Sequence, residues 1–219
     1  DIDTRGLWHF EEMMGTTTQD ASAYQNHGTV TGAMMGGFGK YGNCFNFDGM
    51  DDKVEVPDSS SLDVTGDITV EAWISPMMTF GSRVVVAKWA DGQRSYQLRM
   101  DNDKLVGALS ADGSAFTSLT STSSIMMGMW THVAMRRSGT ELSLWINGVK
   151  EMQTATFTGT IFAGSAPLGI GWQADSMDPG NFSGPIDEVR VSSFPRGSFG
   201  GMMGTTLTYD NNGNLTSDG

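Results

Sequence analysis

The stretch ELSLWINGVKEMQTATF, residues 141–157, carries the fold in miniature. Leu142, Leu144 and Ile146 alternate with Glu141, Ser143 and Trp145, the period of two that a strand with unequal faces requires. Asn147-Gly148 follows at once, and both residues tolerate positive φ, so the pair predicts a tight hairpin into VKEMQTATF. Upstream, WTHVAMRR (130–137) sets Thr131, Val133 and Met135 against His132, Ala134 and Arg136. ITVEAWI (68–74) sets Ile68, Val70, Ala72 and Ile74 against Thr69, Glu71 and Trp73.

The pattern continues outward in both directions. GLWHF, FNFDG, DKVEVP, RVVVAKW, SYQLRM, KLVGALS, PLGIGW and GPIDEVRVSS (184–193) read as further rungs. They are separated by turn pairs such as Asp48-Gly49, Asp91-Gly92 and Asp112-Gly113. About fourteen strands spaced 8–12 residues apart predict an all-β sandwich or barrel. No segment holds a helical period beyond two turns. The 29 glycines among 219 residues lie in turns with no collagen period, and 38% hydrophobic residues suffice for a core between two sheets.

The order of these words resembles that of laminin-G-like domains of the concanavalin A-like group: GLWHFEE, DASAYQNHG, GNCFNFDGMDDKVEVP, ITVEAWISP, WTHVAMRRSGTELSLWINGV, GPIDEVRVSS. The resemblance covers residues 6 to about 197 and implies an antiparallel two-sheet jelly roll, domain 1–197, that binds rather than catalyses. It also implies one structural Ca2+ near the place where first and last strands meet. The residues of this chain that the resemblance nominates are Asp20, Asn26 and Asp187, with Glu11 or Glu12; residues 23–25, Ala-Tyr-Gln, depart from the glycine-containing loop usual there. Calcium takes six to eight oxygens, which carboxylates, amides and carbonyls supply; the alternative is that Asp20 and Asn26 cap turns. DGMDD (48–52) lacks the spacing of an EF-hand and is read as a turn.

The tail, 198–219, is read as a Gly/Ser-rich linker followed by the start of a YD repeat. The words TLTYDNNGNLTSDG resemble that module of Rhs-type bacterial surface proteins and imply neighbouring repeats in a longer parent chain. The sequence starts at Asp1 and is expected to be a mature product or an excised domain.

Composition narrows the partners. A net charge of −12 argues against nucleic acid, and no apolar run reaches the length of a membrane span. Cys44 is the sole cysteine and alternates with Phe45 and Phe47 like a buried hydrophobe. The expected partner is a glycan or an extracellular protein, and the expected setting is secreted or cell-surface. Trp89, Tyr96, Arg99 and Trp172 are the candidate ligand-binding residues, Trp89 and Trp172 because they end strands that run into polar loops. Trp8, Trp73 and Trp130 are expected in the core.

Two other readings stand beside this one. A glycan-cleaving domain needs two carboxylates about 5–9 Å apart, whereas Glu71 stands alone in its strand, where a cross-strand pair with Arg136 or His132 is the simpler expectation. No HExxH or GxSxG occurs, so no enzyme is expected. A purely structural spacer is the other alternative, favoured if Trp89 and Trp172 are buried. Five Met-Met pairs lie beside turns; soft Cu(I) ligation, adaptable partner contacts and a deliberately placed label all fit them.

Overall fold

A computed structural model describes residues 2–175, 180–197 and 199, with 208–209 and 215–217 of the tail. In chain order the strands are β1 (Thr4–Trp8), β2 (Thr17–Thr18), β3 (Gly28–Thr31), β4 (Met34–Phe38), β5 (Asn43–Asp48), β6 (Lys53–Val56), β7 (Ile68–Ile74) and β8 (Ser82–Lys88). They continue as β9 (Arg94–Asp101), β10 (Lys104–Gly113), β11 (Phe116–Ser124), β12 (Thr131–Ser138), β13 (Glu141–Ile146), β14 (Val149–Thr156), β15 (Leu168–Ile170) and β16 (Ser183–Ser192). In the tail, β17 (Thr208–Tyr209) and β18 (Leu215–Ser217) pair antiparallel; the rest of the proposed YD repeat lies outside the described residues. There is no helix among the described residues.

The strands form two antiparallel sheets, the jelly-roll sandwich that the alternation predicts. The first runs β14-β13-β12-β7-β16-β5-β4, with β1 also on β16; the second runs β11-β10-β9-β8-β15-β6-β3-β2. β16 organises the first sheet. One edge pairs with β7, while the other pairs with β5 over Ser183–Ile186 and with β1 over Val189–Ser192. First and last long strands therefore lie side by side. Asn147 and Gly148, with φ of 50° and 77°, form the hairpin that joins β13 to β14.

The inward faces match the period-two reading. Ile68, Val70, Ala72 and Ile74 are fully buried, as are Val133, Met135, Leu142 and Leu144, and they meet Leu98, Met100, Leu105 and Leu109 of the second sheet. Trp8 joins this core, whereas Trp73 and Trp130 are half-buried. Cys44 is buried, and burial first, then the charges of Asp187 and Glu11, push its thiol up to about 12.

The outward face of β7 departs from a simple polar surface because the chain covers it. Residues after β16 cross this face: Thr69 Oγ1 donates to Phe194 O at 2.8 Å and accepts from Arg196 N at 3.0 Å. Arg196 Nε lies 3.2 Å from Glu71 Oε1, with Arg190 Nε at 3.8 Å, and His132 Nε2 lies 3.4 Å from Glu71 Oε2. Of the two cross-strand partners expected for Glu71, His132 is met, and Arg190 of β16 joins it from the other side; Arg136 donates instead to Arg196 O at 3.1 Å. Phe199 caps the strap, its ring 5.0 Å from Trp145 and 5.5 Å from His132.

Two polar clamps hold the second sheet and its loops. Lys88 is wholly buried, and its ammonium meets Asp58 at 2.5 Å, Asp63 at 3.2 Å, Ala166 O at 2.9 Å and Gly164 O, pinning two loops to β8. At the sandwich edge Glu151 of β14 accepts from Thr122 N, Thr122 Oγ1 and Ser123 N of β11 at 2.8, 2.6 and 3.0 Å, joining one sheet to the other. Burial raises the Glu151 pKa, but these hydrogen bonds outweigh it and hold the carboxyl at about 2.

A buried ammonium stripped from its acceptors leaves them unpaired. Lys88→Ala is expected to cost about 3 kcal/mol in chemical denaturation, on the scale of breaking a buried pair. Glu151→Gln should cost about 1–2 kcal/mol near neutral pH by weakening hydrogen bonds to a charged acceptor. Because the folded pKa is depressed, the Glu151 contribution is present above its ordinary value and is lost as pH falls towards 2. The gap between wild type and Glu151→Gln should therefore close in acid; a gap that persists unchanged at pH 2 contradicts the assignment.

Candidate functional site

The four residues nominated for a metal fall into two groups. Asp20 and Asn26 belong to a loop lock. Asp20 Oδ1 accepts from Leu7 N and Ser22 N, both at 2.8 Å, and Oδ2 accepts from Ser22 Oγ and Asn26 N, both at 2.7 Å. Four donors occupy its acceptor sites. Asn26 Nδ2 donates to Arg5 O and Ser61 Oγ, and Asn26 O accepts from Trp8 Nε1 at 3.0 Å. This net fastens the 20–28 loop against β1 and leaves Asp20 without spare lone pairs, the turn-capping arrangement.

Glu11 and Asp187 form the second group, on either side of the turn between β4 and β5. Asp187 Oδ2 accepts from Tyr41 N at 2.9 Å; Glu11 Oε2 accepts from Asn43 N and Nδ2, both at 3.1 Å. Their other oxygens, Asp187 Oδ1 and Glu11 Oε1, are buried with no hydrogen-bond partner. Burial, with the nearby charges of Glu188 and Glu11 adding to it, lifts Asp187 to about 8 against the opposing hydrogen bond from Tyr41. Burial likewise raises Glu11. Glu12 serves elsewhere, accepting from Gln19 N at 2.6 Å.

The backbone aims these two carboxylates. Pairing between β16 and β7 slips between Asp187 and Arg190, and Glu188 there has φ of 50°. Phe10, immediately before Glu11, has φ of 59°. Such conformations cost about 1–3 kcal/mol each for non-glycine residues and gather where a side chain must be re-aimed. Asp187 keeps its register opposite Trp73 on the outer face, where the turn between β4 and β5 covers it, and the bulge after it turns Glu188 to accept from His9 Nδ1 at 2.8 Å. Burial lowers the His9 pKa, but Glu188, Glu11 and Glu12 together raise it above the ordinary value. Two orphaned carboxylate oxygens in an acidic pocket suit a hard divalent cation such as Ca2+. Asp48, Asp51 and Asp52 also approach one another, but Asp52 Oδ2 is engaged by Asp48 N at 2.8 Å, as in a turn.

The other candidate site lies on the outer face of the second sheet. Trp89, Asp91, Arg94, Gln97, Arg99 and Phe116, with Gln173 and Asp175 from the loop after β15, line a cleft of about 260 Å3. Val84, Ala87, Trp89 and Ala108 make a small apolar floor separate from the main core. Phe116 is 51% exposed, while Trp89 is only 4% exposed and meets it edge to face at 5.4 Å. The Arg94 guanidinium lies 5.8 Å from the Trp89 ring and 5.7 Å from Phe116, held by Asp91 at 3.1 Å, Asp175 at 3.4 Å and Ser114 O at 2.9 Å. Gln97 donates to Gln173 Oε1, and Arg99 donates to Ser82 Oγ at 3.2 Å.

Of the four residues nominated for a ligand, Arg99 and Trp89 line this cleft. Tyr96 does not: its ring points into the core beside Leu98 and Met100, its hydroxyl donates to Leu62 O at 3.1 Å, and burial drives its pKa up. Trp172 stands half-buried over β6 on the same outer face, with Lys53 Nζ 4.4 Å from its ring centroid. Sequence reasoning passed over Arg94, Gln97, Phe116 and Gln173. Alternation in SYQLRM already puts Gln97 and Arg99 opposite Tyr96; nothing in the Ser/Thr-rich FTSLTSTSS singles out Phe116.

Comparison with known proteins bears on the fold. The model of the concanavalin A-like lectin/glucanases superfamily, laminin-G type, matches residues 48–197. No curated relative matches the chain. Among solved structures, the binding domain of Paraclostridial Mosquitocidal Protein 1 aligns with a TM-score of 0.71 and 14% identity, over 89% of this chain and 49% of that one. Domain 4 of AbnA, a GH43 extracellular arabinanase from Geobacillus stearothermophilus solved with arabinotriose, aligns at 0.66 and 22% identity, over 88% and 93%. The binding domain of botulinum neurotoxin serotype D aligns at 0.68 and 15%, over 89% and 48%. The chain thus spans about half the length of the toxin binding domains it matches. At these identities the likeness establishes the shared fold.

The raised pKa of Asp187 sets a sign for pH dependence. Below the ordinary carboxylate value the group is protonated in both folded and unfolded chains, and its contribution to stability is fully present. As pH rises from 3.8 through about 8, the unfolded chain releases the proton first and that contribution is lost. In protein freed of divalent cations, the melting temperature should therefore fall across this window, and Asp187→Asn should flatten the fall. An identical slope in the variant would locate the titration elsewhere.

Proposed function

The chain belongs to the concanavalin A-like lectin/glucanases superfamily, and we propose that it is a non-catalytic, calcium-stabilised module that binds a glycan through the cleft on the second sheet. One observation carries the reading: an exposed ring, Phe116, stands beside fixed guanidinium and amide groups over an apolar floor. That combination is what a sugar needs, since its C–H face packs on a ring while its hydroxyls pair with oriented donors and acceptors. Arg94 is braced by two carboxylates and a carbonyl, and Gln97 by Gln173, so little side-chain freedom is lost on binding. The arabinotriose in the complex with AbnA domain 4 is a ligand of this chemical kind on this fold. A protein partner is the second reading, and the neurotoxin DC binding domain solved with rat synaptotagmin II supports it.

Calcium would be held by Glu11 and Asp187, whose orphaned oxygens fit it, with Asp20 and Asn26 serving the adjacent loop. Bound there, the ion supplies positive charge to two buried carboxylates and ties the β4–β5 turn to β16. A glycan-cleaving role has less support. Asp91 and Asp175 both line the cleft, yet one guanidinium engages both, leaving no separate acid and base. Glu71 lies under the strap. A spacer role would want Trp89 and Trp172 both buried; Trp89 is, but Trp172 is half-buried, and the exposed Phe116 stands against that role. We place the module outside the cell, beside YD repeats in a longer protein.

Two measurements test this reading. Titration calorimetry with arabino-oligosaccharides, extended to a glycan array, should show binding that Phe116→Ala and Arg99→Ala each weaken about five- to fiftyfold, on the order of 1–2.3 kcal/mol. Trp172→Ala should have less effect, and no new reducing ends should form. Unchanged binding in both cleft variants would remove the site, and release of shorter sugars would make it an enzyme. Separately, EGTA should lower the melting temperature and added calcium restore it, by mass action on the folded state. Asp187→Ala should abolish that response, whereas a response retained in Asp187→Ala would move the ion elsewhere.

A further inference from the structure

We propose that the corner between Tyr41 and Trp73, on the outer face of the first sheet, is a binding site for methylated ammonium ions that the chain's own Lys40 fills when no ligand is present. This site is separate from the glycan cleft and does not rest on it. The two rings meet at right angles, with centroids 5.9 Å apart and an interplanar angle of 86°. Lys40 Nζ stands 4.4 Å from the Trp73 centroid and 6.0 Å from that of Tyr41. Two ring faces directed at one positive charge are the minimal form of an aromatic cage.

The corner is one end of a longer aromatic row. From Trp73 the row continues through His132, 5.4 Å away, to Phe199 and Trp145. Its far end is closed, because Phe199 of the strap covers His132 and Trp145. The cation there, Arg136, lies 4.9 Å from the Trp145 ring and is tied down by its hydrogen bond to Arg196 O. Lys40 is exposed, and among the described residues its ammonium makes no hydrogen bond or ion pair. Only the two rings hold it. An exposed contact of this sort is weak, so a free ion displaces it readily.

Chemistry selects the ligand class. A primary ammonium has three N–H donors and holds its water strongly, so two rings compensate it poorly. A trimethylated head spreads its charge over an apolar surface that packs against rings without losing hydrogen bonds. Sugars fit less well, because perpendicular rings offer no continuous platform and Lys40 already covers the Trp73 face. The net charge of −12 favours the long-range approach of cations over anions. The class is therefore choline-like heads, betaines with a distal carboxylate, or trimethyllysine.

The test is a 1H–15N NMR titration of the whole chain with tetramethylammonium chloride, with sodium chloride at matched ionic strength as control. Saturable shifts are expected at the Trp73 indole N–H and the Tyr41 amide, at millimolar concentrations. Lys40→Ala, at an exposed position, should tighten binding about three- to sixfold, the effect of removing a tethered competitor held by about 0.5–1 kcal/mol. Tyr41→Phe in that background should keep binding, and Tyr41→Ala should lose it. Shifts that grow linearly as with sodium chloride, in wild type and Lys40→Ala alike, overturn the proposal. So does weaker binding in Lys40→Ala, or saturable shifts centred on the cleft around Arg94 and Phe116.

Discussion

A single strand, β16, is asked to pair with three others, and the bulge that lets it do so decides the chemistry of one end of the molecule. Over Ser183–Ile186 it matches β5 and over Val189–Ser192 it matches β1, with β7 along the opposite edge. Asp187 stays in register opposite Trp73, and the slip between it and Arg190, with Glu188 at positive φ, lies just beyond. The turn between β4 and β5 folds over that outer position and brings a carboxylate to zero exposure. Carboxylates are buried at considerable cost unless something positive or donating meets them. Tyr41 N meets one oxygen of Asp187, and the other is left. The same holds for one oxygen of Glu11 across the turn, so closing the fold here leaves two carboxylate oxygens unpaired.

Most of the fold was legible in the sequence because burial on one face writes itself as alternation. β7, β12 and β13 alternate between turn residues, and their inward apolar residues lie in the core, with Ile146 half-buried at its margin. β11 and β4 were not legible. FTSLTSTSS owes its place to pairing with β10 and to the Glu151 clamp from β14. MMGGF is an edge strand with two central glycines and little buried surface. Neither advertises itself by hydrophobic period, since tertiary pairing rather than local preference makes them strands.

The sites divide along the same physical line. Period two alone assigns Tyr96 to the side of Leu98 and Met100, and weighting its ring as a ligand surface set that alternation aside. Arg99, on the other side, faces the cleft. Loop residues obey no such rule. Glu11 and Asp187 are 176 positions apart and each accepts from the backbone of the β4–β5 turn, and the chain's own donors engage Asp20 in a way that spacing does not encode. The strap was read only as composition, whereas its Arg196 and Phe199 answer to partners on β7, β12 and β13.

A sandwich has two outer faces, and here the chain treats them differently. On the first sheet the strap covers Glu71 and the Trp145 end of the aromatic row, so that face is largely committed to internal contacts. On the second sheet Arg94 and Gln97 are braced around a cleft that no segment among the described residues crosses. Charge follows the same logic. Of the 13 lysines and arginines, Lys88, Arg137, Arg190 and Arg196 serve internal carboxylates or carbonyls. With 25 carboxylates set against those 13 cations, the molecule as a whole is acidic. A polyanion approaching such a surface is repelled before any contact forms. Neutral and cationic partners are not, so the electrostatics leave open the two ligand chemistries that the cleft and the aromatic corner offer.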